Sequence, residues 1–145
     1  MEIHTTRFGT VGVNADDVIL FPNGILGLED CQQWVLLADA EDGALGWLQS
    51  TSRADVALAA VSPRRFVPDY DVRVPRSELA PLLLESIDEA HVLVVLSKSE
   101  HGITLNLKAP LVINLRRRLG RQVIHNADEP LQYELCELEP VRRIA

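Results

Sequence analysis

Short apolar runs separated by Gly, Pro, Asn and Asp dominate the chain, and the runs repeat with the period of strands rather than helices. Residues 2–8 alternate, and Gly9, Thr10 and Gly12 predict a hairpin into residues 11–13. Residues 17–21 form an apolar run stopped by Pro22-Asn23-Gly24, a turn signal. Residues 34–38, 45–50 and 56–62 predict three further strands, and residues 71–74 a short one stopped by Pro75. In 91–97 the five residues Val92 to Leu96 are all apolar, which predicts a strand covered on both faces. Residues 103–108 do alternate, with Ile103, Leu105 and Leu107 on one face and Thr104, Asn106 and Lys108 on the other. Residues 111–116 and 122–125 flank the loop 117–121 and predict a final hairpin, and residues 130–145 predict an irregular or frayed tail.

One segment reads as helix. In 76–90, Pro81 suits a first helical turn, where its missing N–H is no loss, and Ser86-Ile87-Asp88-Glu89 has the spacing of a capping box. Only a turn or two fits before the next strand, with Leu82, Leu83 and Leu84 packing it on the sheet. Nine or ten short strands with one helical insert predict a mainly β fold, an antiparallel barrel or sandwich. The length of 145 residues sets one domain, placed at 1–126, with a C-terminal tail at 127–145.

Charge sharpens this picture. The chain carries 21 acidic and 14 basic residues, a net charge of −7. Residues 1–62 hold nine acidic and two basic residues (2 − 9 = −7), while residues 63–145 hold twelve of each. An acidic chain is poorly suited to general nucleic-acid binding, because phosphate contacts need positive charge, and a basic protein partner fits better. No apolar run reaches membrane-spanning length, and Met1 to Val13 lack a signal core, so a cytoplasmic protein is expected. Cys31 and Cys136 form no C-x-x-C pair and are expected as packed or free thiols.

Catalytic patterns are missing: there is no G-x-S-x-G, P-loop, H-E-x-x-H or G-x-G-x-x-G, so neither enzyme activity nor a cofactor is expected. His4, His91, His101 and His125 are scattered singly, and Asp69-Tyr70-Asp71 offers a cation only two carboxylates, so no metal is expected. Arg116, Arg117, Arg118 and Arg121 have two readings: a hairpin that grips RNA phosphates, or a charged edge that resists aggregation. No aromatic residues are interleaved there to stack bases. The loop Phe66-Val67-Pro68-Asp69-Tyr70 also has two: rings plugged into the core, or an apolar anchor for a partner.

Five segments, taken together and in order, resemble one family. Phe21-Pro22-Asn23-Gly24-Ile25-Leu26-Gly27-Leu28-Glu29 resembles F-P-x-G-I-x-G-[aromatic/apolar]-E, and Trp47-Leu48-Gln49-Ser50 resembles W-L-Q-S. Pro63 with Phe66 to Tyr70 is similar to P-x-x-F-x-P-D-Y. Asn106 to Asn114 is similar to N-L-x-A-P-[IL]-V-I-N, and Gly120-Arg121-Gln122-Val123-Ile124 to G-[RK]-Q-V-I. The family is the flagellar assembly factor FliW, and the resemblance spans about residues 3–126. Leu26 stands where Pro is common, Leu28 where an aromatic is common, and Val67 where Phe is expected, which touches the shape of two loops. The resemblance implies a compact barrel-like fold and a non-catalytic regulator. It implies two competing partners: the RNA-binding translational repressor CsrA, which such a factor antagonises, and newly made cytoplasmic flagellin. Flagellin translation then follows its export. No direct nucleic-acid or membrane contact is expected. The candidate partner-binding residues are Phe66, Pro68, Asp69 and Tyr70, then Asn106, Asn114 and Gln122, whose polar side chains have internal hydrogen bonding as the competing reading. The alternative function is an RNA-binding barrel using the 116–121 hairpin.

Overall fold

The computed structural model describes residues 1–100, 102–125 and 128–135. Its strands are β1 (Glu2–Thr5), β2 (Gly9–Gly12), β3 (Ile19–Leu20), β4 (Gln33–Ala38), β5 (Leu45–Ser50), β6 (Ala57–Val61), β7 (Ala90–Ser99), β8 (Gly102–Leu105), β9 (Leu111–Asn114), β10 (Leu119–Gln122) and β11 (Tyr133–Glu134). One short helix, α1 (Arg76–Leu79), lies between β6 and β7. Seven strands run in the order β7-β6-β5-β4-β3-β10-β9, and β9 pairs back onto β7 to close a barrel. Closure leaves these strands no open edge. All the pairings are antiparallel except β3 with β10.

Alternation along each strand fills the interior. Ile19, Phe21, Trp34, Leu48, Leu111 and Ile113 turn inward and are fully or almost fully buried. Gly120 pairs with Ile113 at an inward position, and a Cβ there would lie 2.4 Å from the Phe21 ring. The absent side chain therefore makes the room in which Phe21 lies across β10.

The outer face is covered in three places. The β1–β2 hairpin lays Ile3 and Val13 on Val35 of β4. The excursion between β6 and β7 lays Leu82, with Val72, Val74 and Leu79, on Val112, Leu119 and Val123. β8 and β11 extend from the upper half of β7 and bury Leu105 and Leu135 with Val94. The unbroken apolar run of β7 follows: Val94 is fully buried outside the barrel, while Leu93 and Val95 pack on the interior. No helix among the described residues is long and apolar enough to cross a membrane.

Four details differ from the sequence expectation. Residues 71–74 are not a strand. Val72 and Val74 pack on the barrel, but β7 and β9 already pair with each other and leave no edge for a further strand. The predicted helix is broken into α1, a 3-10 turn at Ala80–Leu82 and another at Ile87–Glu89, with Leu83 between them in the left-handed region at φ 56°. Ser86 Oγ accepts from the Asp88 N–H, but Glu89 Oε1 accepts from the Glu85 N–H, not from its own cap residue. The last hairpin turns earlier than predicted: Asn114 pairs with Leu119, so Gly120 and Arg121 lie in β10 and Arg116 lies in the loop. Asn114 Oδ1 captures the Arg116 and Arg117 N–H groups at 3.1 and 3.2 Å and ends β9. Finally, Tyr133–Glu134 pairs with β8 instead of being irregular, because β8 lies outside the closed barrel and keeps an edge. His101, Cys136, the rest of the tail and the expected boundary at 126–127 lie outside the described residues.

Candidate functional site

The excursion from residue 62 to 89 is the longest connection between two neighbouring barrel strands, and it carries the aromatic loop. Pro63 is buried and opens a 3-10 turn, Pro63–Arg65, where its missing N–H costs nothing. The loop then descends to Tyr70, which is only 4% exposed. The Tyr70 hydroxyl donates to the Leu107 carbonyl at 2.7 Å and lies 2.8 Å from His125 Nε2. A hydroxyl has one proton. Given to Leu107, it leaves the oxygen to accept from His125 Nε2–H. His125 Nδ1 is then the bare nitrogen, and it accepts from the Arg73 N–H at 3.2 Å. Three segments distant in sequence are thus joined at one buried point with a single tautomer.

Burial governs the titration of both groups. Desolvation pushes the Tyr70 hydroxyl well above its ordinary value, with Glu129 adding in the same direction, so the donor is always present. Desolvation also holds His125 below the usual imidazole value, assisted by Lys108 and Arg73 and opposed by Glu129.

Further pins hold the rest of the excursion. Arg64 Nε donates to the Tyr70 carbonyl at 2.8 Å, and its guanidinium pairs with Asp71. Asn114 is fully buried and donates from Nδ2 to the Leu82 carbonyl at 2.9 Å. Arg116 pairs with Glu85 and Glu89, and Arg121 with Glu78. Two of the four arginines of the last hairpin therefore tie the excursion down. Between it and the barrel wall runs a groove of about 430 Å³, floored by Val72, Val92 and Val112 and edged by Leu79, Arg64 and Ile87. Ile87, on its edge, is 68% exposed.

The predicted residues divide. Phe66 is half-buried and packs with Tyr70, which matches the core-anchor reading of the two rings, while Pro68 and Asp69 at the apex are exposed. Asn106 Oδ1 accepts from the Lys108 and Ala109 N–H groups at 3.1 Å each, turning the chain out of β8. Gln122 Oε1 accepts from the Leu26 N–H at 2.8 Å, and its Nε2 donates to the Ala109 carbonyl. Asn106, Asn114 and Gln122 thus share one kind of internal role at three separate places. Sequence reasoning did not single out His125, although a lone histidine in a strand-like run was visible. It also missed Gln49, whose Nε2 reaches the carbonyls of Ser50, Arg53 and Ala54 and folds the β5–β6 turn. Among the described residues no group of His, Cys, Asp and Glu can hold a metal.

A family model described as FliW protein matches residues 2–135. The chain belongs to the FliW family. A flagellar assembly factor FliW of Thermoanaerobacter pseudethanolicus is 37% identical over 134 residues, 90% of this chain and 89% of that one. Another, of Bdellovibrio bacteriovorus, is 35% identical over 126 residues, 86% of this chain and 72% of the relative. A crystal structure of the flagellar assembly factor FliW superposes with a TM-score of 0.86 at 28% identity, covering 93% of this chain and 96% of that one. The FliW family is one of assembly factors, not of enzymes. The motifs by which the FliW resemblance is read are now physical parts. In F-P-x-G-I, Gly24 sits at φ +71° with Glu29 backbone where a Cβ would be. In W-L-Q-S, Gln49 folds a turn, and in G-[RK]-Q-V-I the Gly admits Phe21.

Proposed function

We propose that this chain is a non-catalytic flagellar assembly factor that binds and antagonises the translational regulator CsrA and also binds flagellin in the cytoplasm. Free flagellin occupies the factor and releases CsrA to repress flagellin messenger RNA. Exported flagellin leaves the factor free to sequester CsrA. The observation that carries this reading is membership of the FliW family across residues 2–135. The charge distribution supports it: the net −7 lies in the first 62 residues, and a protein that binds RNA must present positive charge. Complementary fields raise the encounter rate and reject wrong partners. The test is a titration of the purified chain with purified CsrA and with flagellin, then with both. Each is expected to bind, each to displace the other, and CsrA binding to weaken as salt is raised. Binding of neither protein refutes the proposal.

A further inference from the structure

The β1–β2 hairpin covers the barrel without being paired to it, and forms a two-stranded sheet of its own. Its polar contacts turn back on itself. The Met1 ammonium donates to the Val13 carbonyl, and the Thr5 hydroxyl donates to the Gly9 carbonyl and accepts from the Phe8 N–H. His4 Nδ1 lies 3.1 Å from Thr10 Oγ1. Among the described residues a single hydrogen bond ties residues 1–13 to the rest of the chain, from the Thr6 N–H to the Ala54 carbonyl at 2.9 Å. The other attachments are a small apolar seat and a clip. The seat is Ile3 and Val13 on Val35, bordered by Val11, Val18 and Leu37. In the clip the Arg7 guanidinium lies 4.1 Å from the Trp47 ring centroid, and Phe8 meets the same ring edge-on at 6.0 Å. Arg7 is exposed, and Phe8 and Trp47 are only half-buried.

Beneath this cover the barrel wall holds an unsatisfied polar atom. Gln49 is fully buried and pairs across strands with Val35, so the two side chains share the outer face. Its Nε2 is spent on the carbonyls of Ser50, Arg53 and Ala54, and its Oε1 has no donor. Turning the amide over would set the oxygen against those three carbonyls, so it gives no relief. The Ala54 carbonyl is the one that the hairpin's Thr6 holds, which puts Gln49 at the seat. Closing the hairpin buries this acceptor at a cost, and water removes that cost when the hairpin lifts.

We infer that the β1–β2 hairpin is a lid. It turns between Val13 and Asn14 and opens as a unit, uncovering the outer face of β4 and β5 around Val35, Trp47 and Gln49. Asn14 stays behind, because its N–H is held by Asp17 Oδ2 in the 3-10 turn that leads into β3. The barrel stays closed, because β4 and β5 pair with each other and with β3 and β6, and the hairpin supplies none of those pairings. A segment with a small apolar seat and few bonds to its support opens locally, well below the free energy of global unfolding.

The test is native-state hydrogen exchange of the full chain in low concentrations of urea. Amides of β1 and β2 are expected to share one opening, at least about tenfold more frequent than that of β5 and β9, with little dependence on urea because little surface is exposed. Arg7→Ala removes the exposed cation–π contact and is expected to speed hairpin exchange about two- to fivefold. Exchange in β5 and β9, and the urea midpoint, stay as in the parent. The inference is overturned if hairpin amides exchange at the rate and urea dependence of the barrel, which makes the hairpin part of the barrel's cooperative unit. It is also overturned if β1 exchanges while β2 stays protected, which is fraying of the terminus, or if Arg7→Ala leaves hairpin exchange unchanged or loosens hairpin and barrel alike.

Discussion

Replacing Tyr70 with Phe keeps the ring in its packing and removes one oxygen. That oxygen makes two buried hydrogen bonds, 2.7 Å to the Leu107 carbonyl and 2.8 Å to His125 Nε2. Each partner left unsatisfied in a buried site costs about 1–3 kcal/mol. His125 has no easy escape, because moving its proton to Nδ1 would set that proton against the Arg73 N–H. The expected loss is about 2–4 kcal/mol, since the two costs are shared by one relaxing cluster. For a chain of this length that lowers the melting temperature by on the order of 10 °C. Urea denaturation followed by tryptophan fluorescence measures it, with the fully buried Trp34 as reporter and an unchanged m-value as the sign that the unfolded state is the same. Tyr70→Ala falls further, because the ring leaves a cavity. Partner affinity, measured well below the melting temperature, is expected to survive in Tyr70→Phe. An unchanged urea midpoint would falsify the buried cluster, and lost affinity at full stability would make Tyr70 a contact residue.

The same cluster predicts a pH dependence. His125 binds its proton less readily folded than unfolded, where imidazole titrates near pH 6.5. Above that pH neither state is protonated. As pH falls below it, the unfolded chain takes the proton first, so stability is lost until the folded-state value is passed. Urea midpoints at pH 7.5 and 5.5 should differ in that direction, and an NMR titration of the His125 ring rising above the ordinary value would contradict the reasoning. Gly120→Ala drives a methyl group into the Phe21 ring at 2.4 Å and is expected to cost about 1–3 kcal/mol or more, seen as a lower urea midpoint. A parent-like midpoint would mean the ring does not lie on β10. Asn114→Ala removes the link to Leu82 and the cap on the 115–118 loop, and is expected to cost about 2–4 kcal/mol. Hydrogen exchange should locate the loosening in residues 79–89, and uniform loosening would count against a local pin.

The local patterns of this chain already contain most of its strands. Strand β5 spans the predicted residues 45–50, and β4 differs from its prediction by one residue. Period-two burial and turn residues act over a few positions, so they can be read without knowing what lies opposite. The split of charge at residue 62 and the absence of catalytic patterns are likewise properties of the sequence alone. Closure is not. That β9 returns to β7, that residues 71–74 find no edge, and that Tyr133–Glu134 finds one on β8 depend on which strands are already paired. The fates of Tyr70, Asn114 and Gln122 depend on partners 37, 32 and 96 residues away, whereas Asn106 caps its own turn two residues on. A polar residue in a strand-like run looks the same whether it faces a partner protein or a buried carbonyl. Only the tertiary structure says which, because a hydrogen bond is satisfied by neighbours in space. The sequence determined a β chain of the FliW kind with its acid in one half; the fold decided that Gly24, Gln49, Asn114, Gly120 and Gln122 of the motifs are spent on turns and internal contacts.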